Sequence, residues 1–234
     1  MRLTCNLAQI WCLTMSIVTR PLACAGLFVC LLAHCFALVH GAVAAEPAVL
    51  VAFGDSLTAG YGLEAKDAFP RQLQRALAAR GREVKVINAG VSGDTTSAGL
   101  ARIDWAVPKD ADAVIVELGA NDALRGQDPG QAYAALDAII TQLKGKGLAV
   151  LLAGMEAPRN MGAYYTKQFN GIYQRLADKH AVALYPFFLE GVAGSPNLNL
   201  PDGLHPTAQG VARIVERILP QVEDLLDGAD KNPA

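Results

Sequence analysis

Beyond residue 35 the chain has no cysteine: Cys5, Cys12, Cys24, Cys30 and Cys35 all lie near the N-terminus. The remainder therefore has no disulfide framework, no thiolate metal site and no cysteine nucleophile. Histidine is nearly as scarce. Past residue 45 only His180 and His205 remain, too few to build a metal site alone, and no His-Glu-x-x-His segment occurs. No metal and no cofactor is expected. Basic runs and basic–aromatic interleaving are also missing, so nucleic acid is not an expected partner. No Gly-x-Ser-x-Gly elbow is present, which disfavours the α/β-hydrolase fold. One dinucleotide-like pattern, Gly60-Tyr61-Gly62-Leu63-Glu64-Ala65, begins seven residues after Phe53 rather than at a strand-to-helix turn. Asn88-Ala89 stand where its acidic ribose partner belongs, so the pattern is set aside.

Charge is thin at the start of the chain. Arg2 and Arg20 are the only charged side chains in the first 45 residues. An apolar stretch runs from Leu22 to Val39, and Ala42-Val43-Ala44-Ala45 offers a small-residue cleavage site before Glu46-Pro47. This is the pattern of a secretory signal peptide over residues 1–45, with an uncleaved membrane anchor as the alternative. Met15 is a second candidate start, since the segment from Met15 to Arg20 makes a normal basic leader region by itself. None of the cysteines follows a convincing lipid-attachment motif. The expected location is periplasmic or secreted. Without Arg2 and Arg20, 18 basic residues face 22 acidic ones, a net charge of −4. The 189 residues from 46 to 234 are read as one domain. A domain of that size buries roughly 70% of its unfolded surface, enough to be stable without covalent staples.

Within this domain, short apolar runs alternate with amphipathic stretches. The runs are Val49–Phe53, Val84–Ala89, Ala113–Leu118, Leu148–Gly154 and Val182–Tyr185. Several are almost unbroken Val, Leu, Ile and Ala, as in strands covered on both faces. Helical spacing appears at Phe69, Leu73 and Leu77, and again at Tyr133, Leu136, Ile139, Ile140 and Leu143 behind an Asp128-Pro129 cap. It recurs at Phe169, Ile172, Tyr173 and Leu176, and at Val211, Ile214, Val215 and Ile218 after Pro206-Thr207. Such alternation predicts a parallel sheet between two helical layers. Ligands of open α/β sheets bind beyond the carboxyl ends of the strands. Ser56, Gly93, the Asn121-Asp122 pair, and Asp202 with His205 all fall there.

These residue types suit acyl chemistry. A serine is a weak nucleophile unless a base takes its proton. Histidine titrates near neutrality and serves as that base, and a carboxylate fixes its tautomer. Asp202-Gly203-Leu204-His205-Pro206 places carboxylate and imidazole three residues apart, with Gly203 allowing the bend. An attacked carbonyl needs donors where its oxygen becomes negative. Asn88 to Thr95 offers glycine amides for that, and Gly119-Ala120-Asn121-Asp122 a carboxamide. Each motif alone also has an ordinary reading. Gly54-Asp55-Ser56 makes a turn and helix cap, and His205 could simply precede a proline-started helix. His180, after Asp178-Lys179, reads as a cation at a helix C-terminus.

Taken in order, Gly54-Asp55-Ser56-Leu57, Ser92-Gly93-Asp94-Thr95, Gly119-Ala120-Asn121-Asp122 and Asp202-Gly203-Leu204-His205-Pro206 resemble the four sequence blocks of the GDSL, or SGNH, hydrolases. The resemblance spans nearly all of Ala48 to Leu219. Glu117 to Gly126 and Pro186 to Glu190 are similar to the family's exported bacterial branch of acyl-CoA thioesterases, proteases, lysophospholipases and arylesterases. With the leader read as a signal peptide at 1–45, the resemblance makes 46–234 the hydrolase domain. It implies a three-layer α/β/α sandwich with a five-stranded, flavodoxin-like parallel sheet of order 2-1-3-4-5. It makes Ser56 the nucleophile, His205 the base and Asp202 its partner, with Ser56 N–H, Gly93 N–H and the Asn121 side chain as oxyanion donors. The implied activity is hydrolysis of small-molecule carboxylic esters and thioesters through an acyl-serine, by a monomer that meets membranes only transiently through lipid substrates. A carbohydrate O-deacetylase on the same frame is the alternative, and a non-catalytic lipid- or carbohydrate-binding module is a third reading. Two segments depart from the branch pattern. Gly90 replaces a usual serine, leaving two glycines in the second block. The stretch from Glu156 to Gly162, expected beside the acyl group, differs at its start.

Overall fold

A computed structural model describes residues 46–230; the expected leader lies outside the described residues. Five strands form one parallel sheet: β1 (Ala48–Gly54), β2 (Val84–Gly90), β3 (Ala113–Glu117), β4 (Ala149–Ala153) and β5 (Ala183–Tyr185). Their spatial order is β2-β1-β3-β4-β5. Every apolar run became a strand, within two residues at either end.

Burial follows position in the sheet. The central strands β1, β3 and β4 are buried along almost their whole length. Edge strand β2 instead alternates, exposing Lys85 and Asn88, polar groups that blunt an open sheet edge. Helices α2 (Phe69–Ala79) and α7 (Ala208–Asp230) pack together on one face. Helices α3 (Thr96–Ala106), α5 (Pro129–Gly145) and α6 (Ala163–His180) cover the other. Two short helices, α1 (Ser56–Ala59) and α4 (Ala120–Leu124), follow β1 and β3 directly. The architecture is a three-layer α/β/α sandwich.

The Asp128 side chain caps α5 by accepting from Gly130 N at 2.8 Å. Helix α7 runs further than the spacing up to Ile218 suggested, through Pro220 and into the polar tail. A proline inside a helix costs about 3 kcal/mol. Val222, Leu225 and Leu226 continue the buried stripe beyond it, and each contributes roughly 1.5–3 kcal/mol on burial. Burial therefore outweighs the break.

Register positions the site. Gly54 at the end of β1 pairs with Gly90 on one side and Glu117 on the other. Three chain segments thus leave the sheet at one level, and β1 is where successive connections part to opposite sides. In this topology that switch point forms a crevice.

Candidate active site

Ser56 opens α1 directly after β1. Asp55 caps that helix, its Oδ1 accepting from Leu57 N at 3.0 Å. The serine is nearly buried, with 9% of its surface exposed. Its Oγ lies 2.9 Å from His205 Nε2, and His205 Nδ1 lies 2.7 Å from Asp202 Oδ2. The three groups that sequence places 149 residues apart therefore form one continuous hydrogen-bonded line.

A local turn sets the position of His205. Asp202 Oδ1 accepts from Leu204 N at 2.9 Å and His205 N at 3.0 Å, leaving Oδ2 for the imidazole. Gly203 adopts φ +72°, a left-handed conformation that glycine takes without a Cβ penalty. The two backbone donors, then the imidazole, hold the Asp202 carboxyl down at about 2. It is a carboxylate throughout the neutral range and accepts the Nδ1 proton. The ring of Tyr61 covers His205, with centroids 4.4 Å apart and planes tilted 35°. Tyr61 belongs to the dinucleotide-like pattern, which lies after α1 and not at a strand-to-helix turn.

On the nucleophile side, two loops approach Ser56. Asn121 is in α4, and its Nδ2 donates to Asp55 Oδ2 and to the Asp94 carbonyl, each at 3.0 Å. The Gly93 carbonyl accepts from Arg125 Nη2 at 3.0 Å. Among the described residues, neither Ser56 N–H nor Gly93 N–H has an acceptor. The two glycines of the second block separate cleanly. Gly93 sits exposed in the loop, whereas Gly90 ends β2 against the nucleophile turn. A Cβ on Gly90 would stand 2.3 Å from Ala59 N and 2.9 Å from Asp55 O, so a side chain there would push the end of β2 and the Ser56 turn apart. Asp122 serves the fold: it is buried and takes Thr96 N and Thr96 Oγ1 at 2.9 and 2.6 Å.

Beneath Ser56 are polar groups that sequence reading missed. Asp55 and Glu117 are both fully buried. Burial pushes the Asp55 carboxyl up to about 6, against opposing hydrogen bonds from Leu57 N and Asn121. Burial, and then the neighbouring Asp55, lifts Glu117 well above the carboxylate range. Glu117 Oε2 accepts from Thr58 Oγ1 at 2.7 Å, and Oε1 has no partner among the described residues. A neutral acid carries that unpartnered atom at far lower cost than a carboxylate. Arg102 is also buried, bonded to Asp94 and to the Gly54 carbonyl. The signal for Glu117 was its place at the end of a buried strand; for Arg102 sequence gave none.

His180 lies at the opposite edge of the sheet, at the end of α6. Its Nε2 is 2.6 Å from Asp137 Oδ1 on α5, so its role is structural, with a carboxylate partner rather than helix carbonyls. The segment from Glu156 to Gly162 runs beside the loop after α4, where Met161 Cε comes within 3.1 Å of a Cβ position on Gly126.

The chain is similar to several known proteins. Residues 52–213 match the model of the GDSL-like Lipase/Acylhydrolase family. Esterase TesA of Pseudomonas aeruginosa is 38% identical over 197 residues, covering 84% of this chain and 98% of that protein. Thioesterase 1/protease 1/lysophospholipase L1 of Escherichia coli is 36% identical over 185 residues, 79% of this chain and 88% of that protein. The crystal structure of AlinE4, an SGNH-hydrolase family esterase, is 47% identical with a TM-score of 0.66, covering 77% of this chain and 97% of its own. This chain therefore belongs to the GDSL-like lipase/acylhydrolase family and is a serine ester hydrolase.

Proposed function

We propose that the chain hydrolyses carboxylic esters and thioesters of short to medium acyl chains through an acyl-serine on Ser56. The observation that carries this reading is the Ser56–His205–Asp202 line at 2.9 and 2.7 Å. His205 Nε2 takes the Oγ proton as Oγ attacks the acyl carbon. It then returns the proton to the departing alcohol or thiol, and later activates the water that releases the acid. Asp202 balances the imidazolium that forms. The developing oxyanion is met by the Ser56 and Gly93 N–H groups and by Asn121. Both Asn121 Nδ2 protons already have acceptors, so the oxyanion must share the one now held by the neutral Asp94 carbonyl.

The rim supports an acyl rather than a sugar substrate. Six large apolar side chains are exposed among the described residues, and five of them, Tyr61, Val91, Leu124, Tyr164 and Leu204, lie in segments at the catalytic edge. The relatives described above are named esterase and thioesterase 1/protease 1/lysophospholipase L1, in line with an acyl substrate. Export is part of the proposal, with residues 1–45 removed and the enzyme acting as a monomer in the periplasm or outside the cell. It rests on the basic, apolar and small-residue order of the leader. Among the described residues no helix is long and apolar enough to cross a membrane; contact with lipid is expected only through the substrate. The experiment is a panel of p-nitrophenyl esters, acyl-CoAs, lysophospholipids and acetylated sugars, combined with N-terminal sequencing of exported protein. Turnover of the acyl substrates and a start near Glu46 are expected. Activity confined to acetylated sugars would move the assignment to a deacetylase, and a retained Leu22–Val39 would make the leader an anchor.

A further inference from the structure

Arg102 has no part in the chemistry just described, yet it is 6% exposed and lies between the loops that flank Ser56. Its guanidinium meets three residues of two segments, the end of β1 and the loop after β2. Nε donates to Asp94 Oδ2 at 2.6 Å, and Nη2 donates to the Gly54 carbonyl at 2.9 Å. The Cζ atom stands 4.2 Å above the centroid of the Phe53 ring. The Gly54 carbonyl also accepts from Val91 N at 3.0 Å. One cation thus joins the residue two before Ser56 to the residue after Gly93. Through the Asp94 carbonyl the same chain of contacts reaches Asn121 Nδ2.

We propose that Arg102 is a positioning residue for the oxyanion hole, holding the Ser56, Gly93 and Asn121 donors in mutual register through Asp94 and the Gly54 carbonyl. The inference rests on the reading of Ser56 as nucleophile. Two features argue against simple fold glue. Helix α3 is already anchored without Arg102: Thr95 caps it through Ala98 N, and Asp122 holds Thr96. A buried ion pair is also a poor source of stability, because desolvation consumes most of its attraction. What the guanidinium supplies is geometry: a planar fork directs two donors at fixed angles while its face rests on an aromatic ring, which a lysine point charge cannot reproduce. Oxyanion donors are effective only when preset, and a misplacement of about 1 Å costs on the order of 10²-fold.

The test pairs kinetics with an alkyl boronic acid. Its trigonal boron accepts the Ser56 Oγ lone pair as the serine proton passes to His205, giving a tetrahedral anion with no leaving group. In Arg102→Met, kcat on a p-nitrophenyl ester is expected to fall about 10- to 10²-fold with KM nearly constant, and the boronate Ki to rise in step. Arg102→Lys should recover part of both. Asp94→Asn, which keeps the shape of the partner, should shift kcat and Ki in the same direction and provides the measurement if Arg102→Met folds poorly. A fall in kcat with unchanged Ki in these variants would mean fewer folded molecules and would overturn the proposal, as would no change in either. Boronate binding must also vanish in Ser56→Ala. If it persisted there, the serine reading itself would fall, and this role for Arg102 with it.

Discussion

The two halves of the catalytic line are built in opposite ways. Asp202 and His205 lie on an exposed turn, their side chains 37% and 20% exposed, and their geometry comes from hydrogen bonds spanning two or three residues. Ser56 lies on a buried platform of Asp55, Glu117, Thr58 and Arg102, tied together and to Gly54 and Asn121 by hydrogen bonds that span 48 to 66 residues. A pentapeptide suffices to shape the base. The nucleophile needs the register of three parallel strands. The proton carrier thus stands at the solvent edge, while the serine rests on groups buried at the carboxyl end of the sheet.

The largest expected effect removes the link between the halves. His205→Ala should lower kcat by about 10⁴- to 10⁶-fold, since triad members act as a unit. Its melting temperature should stay close to that of the wild type, because the turn lies outside the core. A comparable loss of melting temperature would show that the base is part of the platform. Next is the donor side. Asn121→Ala should cost about 10²–10³-fold in kcat with KM little changed; a pure KM effect would reassign Asn121 to substrate binding.

Adding one methyl group to each half sharpens the contrast. At Gly90 a Cβ meets backbone at 2.3 Å, so Gly90→Ala should destabilise by about 1–3 kcal/mol and disturb Ser56. At Gly203 the space is open and only φ +72° resists, so Gly203→Ala should cost about 1–2 kcal/mol, felt as slower turnover. Denaturant titration with parallel kinetics separates the two, and equal losses of stability would erase the distinction.

The smallest effects concern pH. The folded state raises Asp55 from an ordinary 3.8 to about 6, so it binds that proton more tightly than the unfolded chain does. This contribution to stability is complete below 3.8 and is lost as pH rises through about 6. Asp202 runs the other way, its contribution present above 3.8 and lost as pH falls toward about 2. Melting curves from pH 4 to 7 should therefore show Asp55→Asn losing less stability than wild type as pH rises. Glu117→Gln, which mimics the neutral acid, should stay within about 1 kcal/mol of wild type at pH 7, where Glu117→Ala costs about 2–4 kcal/mol. A strongly destabilised Gln variant would mean that Glu117 is ionised in the fold.

The same division explains what the sequence made legible. All five strands were readable because a buried strand is written in consecutive apolar residues, and the order of the sheet followed from family resemblance. The Asp202–His205 turn was readable because its determinants are neighbours. Arg102 was not: a charged residue on a helix reads as solvent-facing until the sheet brings Gly54 and Phe53 against it. Glu117 likewise reads as a strand-end charge, and only its pairing with Gly54 shows that nothing solvates it. Tyr61 was hidden within an unrelated-looking glycine pattern. The spacing was read only to Ile218, although the apolar stripe beyond Pro220 carries α7 on to Asp230.

The central claim is that Ser56 Oγ, driven by His205, is the attacking atom. A p-nitrophenyl alkylphosphonate tests it directly, because Oγ displaces p-nitrophenolate at phosphorus and stays covalently bound. The account predicts one equivalent of nitrophenolate per chain, the added mass on the peptide containing Ser56, and loss of esterase activity in proportion. Label on another residue, or a Ser56→Ala chain that still releases one equivalent, would contradict it.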